Sequence, residues 1–168
     1  MVRVYKDIFT GHELASDSYP AERKFEGAGI FIKSQFVEVT DDCGIPDNDE
    51  DGGTASGPTR VNNIAHSFNL SATTYKKSEF IVWVKSYIKK LLEKVGEAAP
   101  EKLDAFKKNS QDLVKHIIAR FDQCEFYINS DMDEAGMVIA AEWADETKDA
   151  DEGPTFIIFA DGIKEEKY

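Results

Sequence analysis

The sequence predicts an α+β domain, an antiparallel sheet assembly with a helical hairpin inserted between its strands. Two long segments of helical periodicity, short strand-like runs on both sides of them, and an acidic glycine-containing interval between the early strands point to this class. The 168 residues, 42% of them apolar, suffice for one domain with a sizeable core, spanning 1–168.

Taken in order, Val2-Arg3-Val4 alternates as a strand does, and Ile30-Phe31-Ile32 and Phe36-Val37-Glu38-Val39 read as strands around a polar turn at Lys33-Ser34-Gln35. Ile64, Phe68 and Leu70 recur at even spacing, which places His66 in a further strand. After the helices, Phe126-Tyr127-Ile128, Met137 to Trp143 and Phe156 to Phe159 are strand-like, the last leading through an Asp161-Gly162 turn into a short tail strand.

The hairpin carries the strongest pattern. Phe80, Trp83, Val84, Tyr87, Ile88, Leu91, Leu92 and Val95 fall three and four residues apart, so one face of a helix from Phe80 to Val95 is apolar and must be buried. Leu103, Phe106, Ser110, Leu113, Val114, Ile117, Ile118 and Phe121 repeat the pattern, and the joint from Gly96 to Pro100 stops one helix and starts the next. From Tyr75 to Phe121 there are eleven Lys and Arg against six Asp and Glu, a net of +5. The whole chain carries −12, so the remainder carries −17. The polar faces hold Lys76, Lys77, Lys85, Lys89, Lys90 and Lys94 on the first helix, and Lys107, Lys108, Lys115 and Arg120 on the second. A run of like charge is ordinarily a solvated face; its segregation from an acidic body raises the reading of a surface for an acidic partner.

From Asp41 to Pro58 there are six acids, no Lys or Arg, four Gly and two Pro, a composition that predicts a mobile acidic loop. Within it Asp47, Asp49 and Asp51, followed by Gly52, reproduce the first half of an EF-hand loop. The second half fails, with Pro58 where the bidentate Glu belongs. Weak Ca2+ collection by a flexible loop and a merely solvated acidic run are the two readings left. Asp131, Asp133 and Glu134 form a second acidic group, whose plainer reading is an exposed turn.

Several classes lose support. There is no phosphate-cradling GxxxxGK[ST] loop, Gly27-Ala28-Gly29 lacks the third glycine of a dinucleotide fingerprint, and no GxSxG elbow occurs. His12, His66 and His116 are scattered, and the isolated Cys43 and Cys124 make neither a dithiol motif nor a zinc set, which predicts free thiols in a reducing compartment. The expectation is therefore no catalytic residue, no organic cofactor and no enzyme. A pI near 4.7 disfavours nucleic acid as a partner. No apolar run exceeds five residues, and the charged start of the chain does not suit a signal peptide, so a soluble cytoplasmic protein is expected.

Together these segments resemble the translationally controlled tumour protein family along nearly the whole length. The resemblance rests on Val4-Tyr5-Lys6-Asp7-Ile8, Ser16-Asp17, Tyr87-Ile88-Lys89-Lys90, Lys115-His116-Ile117-Ile118, Phe126-Tyr127-Ile128 with Gly136-Met137-Val138, and Asp161 to Lys167. Departures are Asn129-Ser130 in place of the family's Gly-Glu, the Gly52 to Pro58 loop lacking its usual acids, and no glycine in the Lys33 to Gln35 turn. The resemblance implies an antiparallel β-tent with a projecting helical hairpin, similar to chaperones of nucleotide-free small GTPases and to methionine sulfoxide reductases. It also implies a non-enzymatic regulatory protein that binds calcium and associates with microtubules and the cytoskeleton. Small-GTPase contact, as exchange factor or chaperone, is implied for Glu13, which matches a Glu of the family's short N-terminal helix. On this reading tubulin meets Lys85, Lys89, Lys90, Lys94, Lys107 and Lys108, and weak Ca2+ binding falls to Asp47, Asp49 and Asp51. A calcium-buffering protein and a reductase-like redox enzyme are the alternatives.

Overall fold

The computed structural model describes residues 3–39, 59–133, 135–146 and 151–167. All strand pairing among them is antiparallel. Strands β1 (Arg3–Asp7), β2 (Glu13–Ser16) and β10 (Ile163–Lys167) form a small sheet in the order β10-β1-β2. The main sheet runs β3 (Ala21–Lys24), β4 (Gly29–Val39), β9 (Glu152–Phe159), β8 (Ile139–Glu142), β7 (Cys124–Ile128), β6 (Ser71–Thr73), and β5 (Thr59–Asn62) pairs with β4. Helix α1 covers Asn63–Ser67, and α2 (Lys77–Ala98) and α3 (Leu103–Ala119) make the hairpin.

The central strands are the apolar runs of the sequence. Ile30, Phe31 and Ile32 in β4 and Phe156 to Phe159 in β9 are all buried, because both faces of this sheet are covered and alternation is not required there. On the hairpin side the buried set is Phe80, Val84, Tyr87 and Leu91 from α2 and Phe106, Ser110, Leu113 and Ile117 from α3. Burial of each large apolar side chain contributes about 1.5–3 kcal/mol, so this stripe fixes the hairpin to the body. Close approach needs Gly29: a Cβ there would lie 2.9 Å from Leu113 Cδ1.

Four local expectations are corrected. Lys33 to Gln35 is not a turn; β4 continues through it with a shift of register against β9 between Lys33 and Gln35. Ser34 is buried there and its hydroxyl donates to the Pro154 carbonyl, which gives a polar residue a partner inside a strand. His66 and Ile64 lie in α1 rather than in a strand, because the Asn62 side chain accepts from the Ile64 and Ala65 amides and starts a helix. Gly96 does not stop α2, which continues to Ala98 with Gly96 against Leu103; the break comes at Ala99, followed by a 3-10 turn over Pro100–Lys102. Leu103–Ala119 replaces the expected Leu103 to Phe121, since Arg120 caps α3.

Val39 at the end of β4 and Thr59 at the start of β5 are cross-strand partners. Asp47, Asp49, Asp51, Cys43 and Glu134 lie outside the described residues.

Candidate functional site

The hairpin's polar faces divide into two environments. Lys85, Lys89 and Lys94 on α2 and Lys107, Lys108 and Lys115 on α3 are exposed, and none forms an ion pair among the described residues. Lys90 is different. It stands one turn from Tyr87, at the edge of the buried stripe, and its Nζ donates to the Ala135 carbonyl at 2.7 Å. The same ammonium lies 4.4 Å from the Phe9 ring centroid. Arg120 is likewise withdrawn from the basic face: Nε donates to Glu142 at 2.8 Å, Nη1 to Asp145 at 3.0 Å, and Nη2 to the Trp143 carbonyl at 2.9 Å. Glu142 also meets His116 Nε2 at 2.7 Å, and the His116 ring packs on Phe25 and Phe31.

Between α2 and α3 runs a groove of about 360 Å³. Its floor is Val84, Ile88 and Leu92 from one helix and Ser110 and Val114 from the other. Lys85, Lys89, Gln111 and Lys115 complete the lining. Ile88, Leu92 and Val114 remain half-buried after the hairpin has packed on the sheet, so the lysine face flanks apolar surface still open to water.

On the tent, Glu13 opens strand β2, opposite Lys6 of β1, instead of lying on a short helix. It is exposed on the outer strand of the small sheet, and its carboxylate makes no hydrogen bond or ion pair among the described residues. Next to it the β1–β2 turn is held by Asp7, whose carboxylate accepts from the Phe9 amide at 2.8 Å and from the Met137 amide at 2.6 Å. His12 Nε2 lies 2.9 Å from Asp131. These contacts join the β1–β2 turn to the β7–β8 connection.

Asp131 and Asp133 belong to that connection. Buried Asn129 accepts through Oδ1 from the amides of both, at 3.0 and 3.1 Å, and donates to the Asp133 carbonyl at 3.0 Å. This turn was legible as an exposed acidic segment; Asn129 as its organiser was not, because its role depends on burial. Asp7 was missed for the same reason, its partner lying 130 residues away. Among the described residues no group of three or more His, Cys, Asp or Glu is placed to hold a metal ion. Cys124 is half-buried, and burial first, then Glu142, pushes its thiol up to about 12, where little thiolate exists near neutrality. Among the described residues no helix is long and apolar enough to cross a membrane.

The class defined by this architecture is an α+β antiparallel tent with an inserted helical hairpin, presenting a lysine-rich helical face and, on the outer strand of the small sheet, the exposed Glu13. The family model described as translationally controlled tumour protein matches residues 2–164, and the chain belongs to that family. A translationally-controlled tumor protein homolog of Plasmodium yoelii yoelii is 36% identical over 176 residues, covering 99% of this chain and 100% of that protein. The homolog of Schizosaccharomyces pombe is 32% identical over 171 residues, covering 98% and 99%. The solved structure of translationally controlled tumor-associated protein p23fyp from Schizosaccharomyces pombe superposes with a TM-score of 0.81 at 32% identity, covering all of both chains.

Proposed function

We propose that this chain is a non-enzymatic cytoplasmic regulatory protein that works by binding, with microtubules meeting the hairpin and a small GTPase meeting the tent near Glu13. The observation that carries this reading is the set of exposed lysines, Lys85, Lys89, Lys94, Lys107, Lys108 and Lys115, on a hairpin of net +5 beside a remainder of −17. Tubulin's acidic tails are repelled by the body and attracted by the hairpin. At about 0.15 M ionic strength screening acts over ~8 Å, so only closely apposed charges contribute. Lys90 is tied to the body and contributes least of the lysines named for this surface.

Converting Lys85, Lys89 and Lys94 to Glu abolishes co-sedimentation with microtubules on this reading, with an unchanged circular dichroism spectrum. Co-sedimentation that survives both charge reversal and high salt rejects it. The exposed carboxylate of Glu13, without a partner among the described residues, supports the GTPase contact, which Glu13→Val weakens at unchanged stability if the reading is right. Weak Ca2+ binding, with Kd of about 10⁻⁴ to 10⁻³ M, is assigned to Asp47, Asp49 and Asp51 on the composition of their loop, and calorimetry on the triple Asn variant tests it.

A further inference from the structure

The lysine face of the hairpin is more than a charged surface, because its charges flank an apolar floor. Among the described residues, all the charged residues lining the groove between α2 and α3 are lysines, namely Lys85, Lys89 and Lys115. Carboxylates do occur on the hairpin, among them Glu93 and Asp112, yet neither lines this groove. A face kept polar for solubility has no use for half-buried Ile88, Leu92 and Val114 between its charges, and neither has a site for a bare polyanion. The two properties together suit a partner that brings apolar and acidic side chains at once.

We propose that this groove is the docking site for an acidic amphipathic helix of a partner protein, whose apolar side chains enter over Ile88, Leu92 and Val114 while its flanking carboxylates meet Lys85, Lys89 and Lys115. The proposal rests on the hairpin being the partner surface and adds that acidity alone does not satisfy it. The occupant is helical for a physical reason. Beyond the lysines the described lining residues offer polar side chains only at Gln111 and Ser110, and the Ser110 hydroxyl already donates to the Lys107 carbonyl. An extended peptide would therefore set unpaired backbone amides and carbonyls against an apolar floor, whereas a helix satisfies its own. The floor also repeats once per turn, through Val84, Ile88 and Leu92 on one helix and Ser110 and Val114 on the other, as helix-in-groove packing requires.

The test uses the full chain and three fluorescent synthetic peptides of about five helical turns. One carries Leu along one face and Glu elsewhere, one has the same composition scrambled to destroy the stripe, and one is polyglutamate. The striped peptide is expected to bind about tenfold or more tightly than either control, the scale of one apolar contact in a pocket. Ile88→Ser with Val114→Ser should remove that advantage, and changing Lys85, Lys89 and Lys115 to Gln should weaken binding and flatten its salt dependence. If the Ser variant loses its fold, shifts of the Ile88, Leu92 and Val114 methyl resonances on titrating the native chain decide instead.

Equal binding of polyglutamate, no binding of the striped peptide, or full binding by a folded Ser variant overturns the proposal. So does self-association of the chain that the Ser variant abolishes, since the occupant is then a second copy. The two readings separate cleanly. Striped-peptide binding with no microtubule co-sedimentation leaves the groove and removes tubulin, and co-sedimentation unaffected by the Ser variant, with no selective binding of the striped peptide, does the reverse.

Discussion

Lys89 and Lys90 are neighbours in the chain and have opposite fates. Lys89 stands at the rim of the interhelical groove, exposed, while Lys90 lies along the Phe9 ring and donates to the Ala135 carbonyl. The same contrast separates two regions of the molecule. On the outer face of the hairpin, charge is free for a partner. Where the hairpin meets the tent, charged groups are consumed in holding α2, the β1–β2 turn and the β7–β8 connection together. Net charge is therefore a poor guide to function until each charge is assigned to one region or the other.

The sharpest way to break this division is at Asp7, the buried carboxylate of the junction. Asp7→Ala leaves the Phe9 and Met137 amides without their acceptor and should cost about 3 kcal/mol of folding stability, measured by denaturant titration, since hydrogen bonds to a charged group are worth roughly 1.5–3 kcal/mol. A loss below half of that would show that the turn and the connection are held mainly by packing.

Lys90→Met keeps the stem and removes the ammonium, so it should cost about 1 kcal/mol, the sum of a modest hydrogen bond and a cation–ring contact. Microtubule co-sedimentation should be nearly unaffected. A variant that keeps full stability but loses co-sedimentation would move Lys90 to the outer region.

Tyr87 sharpens the comparison from the apolar side. Its hydroxyl is buried and finds no hydrogen-bond partner among the described residues, and its ring stacks on Trp83 at 4.8 Å. Tyr87→Phe should therefore be neutral or stabilising by up to about 1 kcal/mol at neutral pH. Burial first, then the nearby Asp7 and Asp161, holds this hydroxyl well above its usual 10.0. Past that value the unfolded chain releases a proton that the folded chain retains, so stability falls as pH rises. The Phe variant should lose stability less steeply above about pH 10, the remaining slope coming in part from Tyr5 and Tyr127, both raised chiefly by burial. An unchanged alkaline slope would mean that Tyr87 ionises freely in the folded state.

The smallest effect belongs to the outer face. Lys85→Gln should change stability by less than about 0.5 kcal/mol in thermal unfolding. A larger change would show that this face also supports the fold.

The sequence by itself determined the fold class, the hairpin and the buried stripe on each helix, because helical periodicity reports burial residue by residue and needs no partner to be named. It also located the apolar central strands through Ile30 to Ile32 and Phe156 to Phe159, and the motif set that placed the chain in its family. Among what it misread were places where one polar residue changes the local outcome. Ser34 extends a strand where a turn was expected, by donating to Pro154, and Asn62 starts α1 where a strand was expected, by capping its first amides. Only the tertiary structure decided which charges are spent. Asp7 and Met137, Lys90 and Ala135, and Arg120 and Glu142 are separated by tens of residues or more, so no local pattern records their pairing. The groove was hidden for the same reason: the two rows of apolar residues that floor it belong to different helices, and their shared surface exists only once both have packed on the sheet.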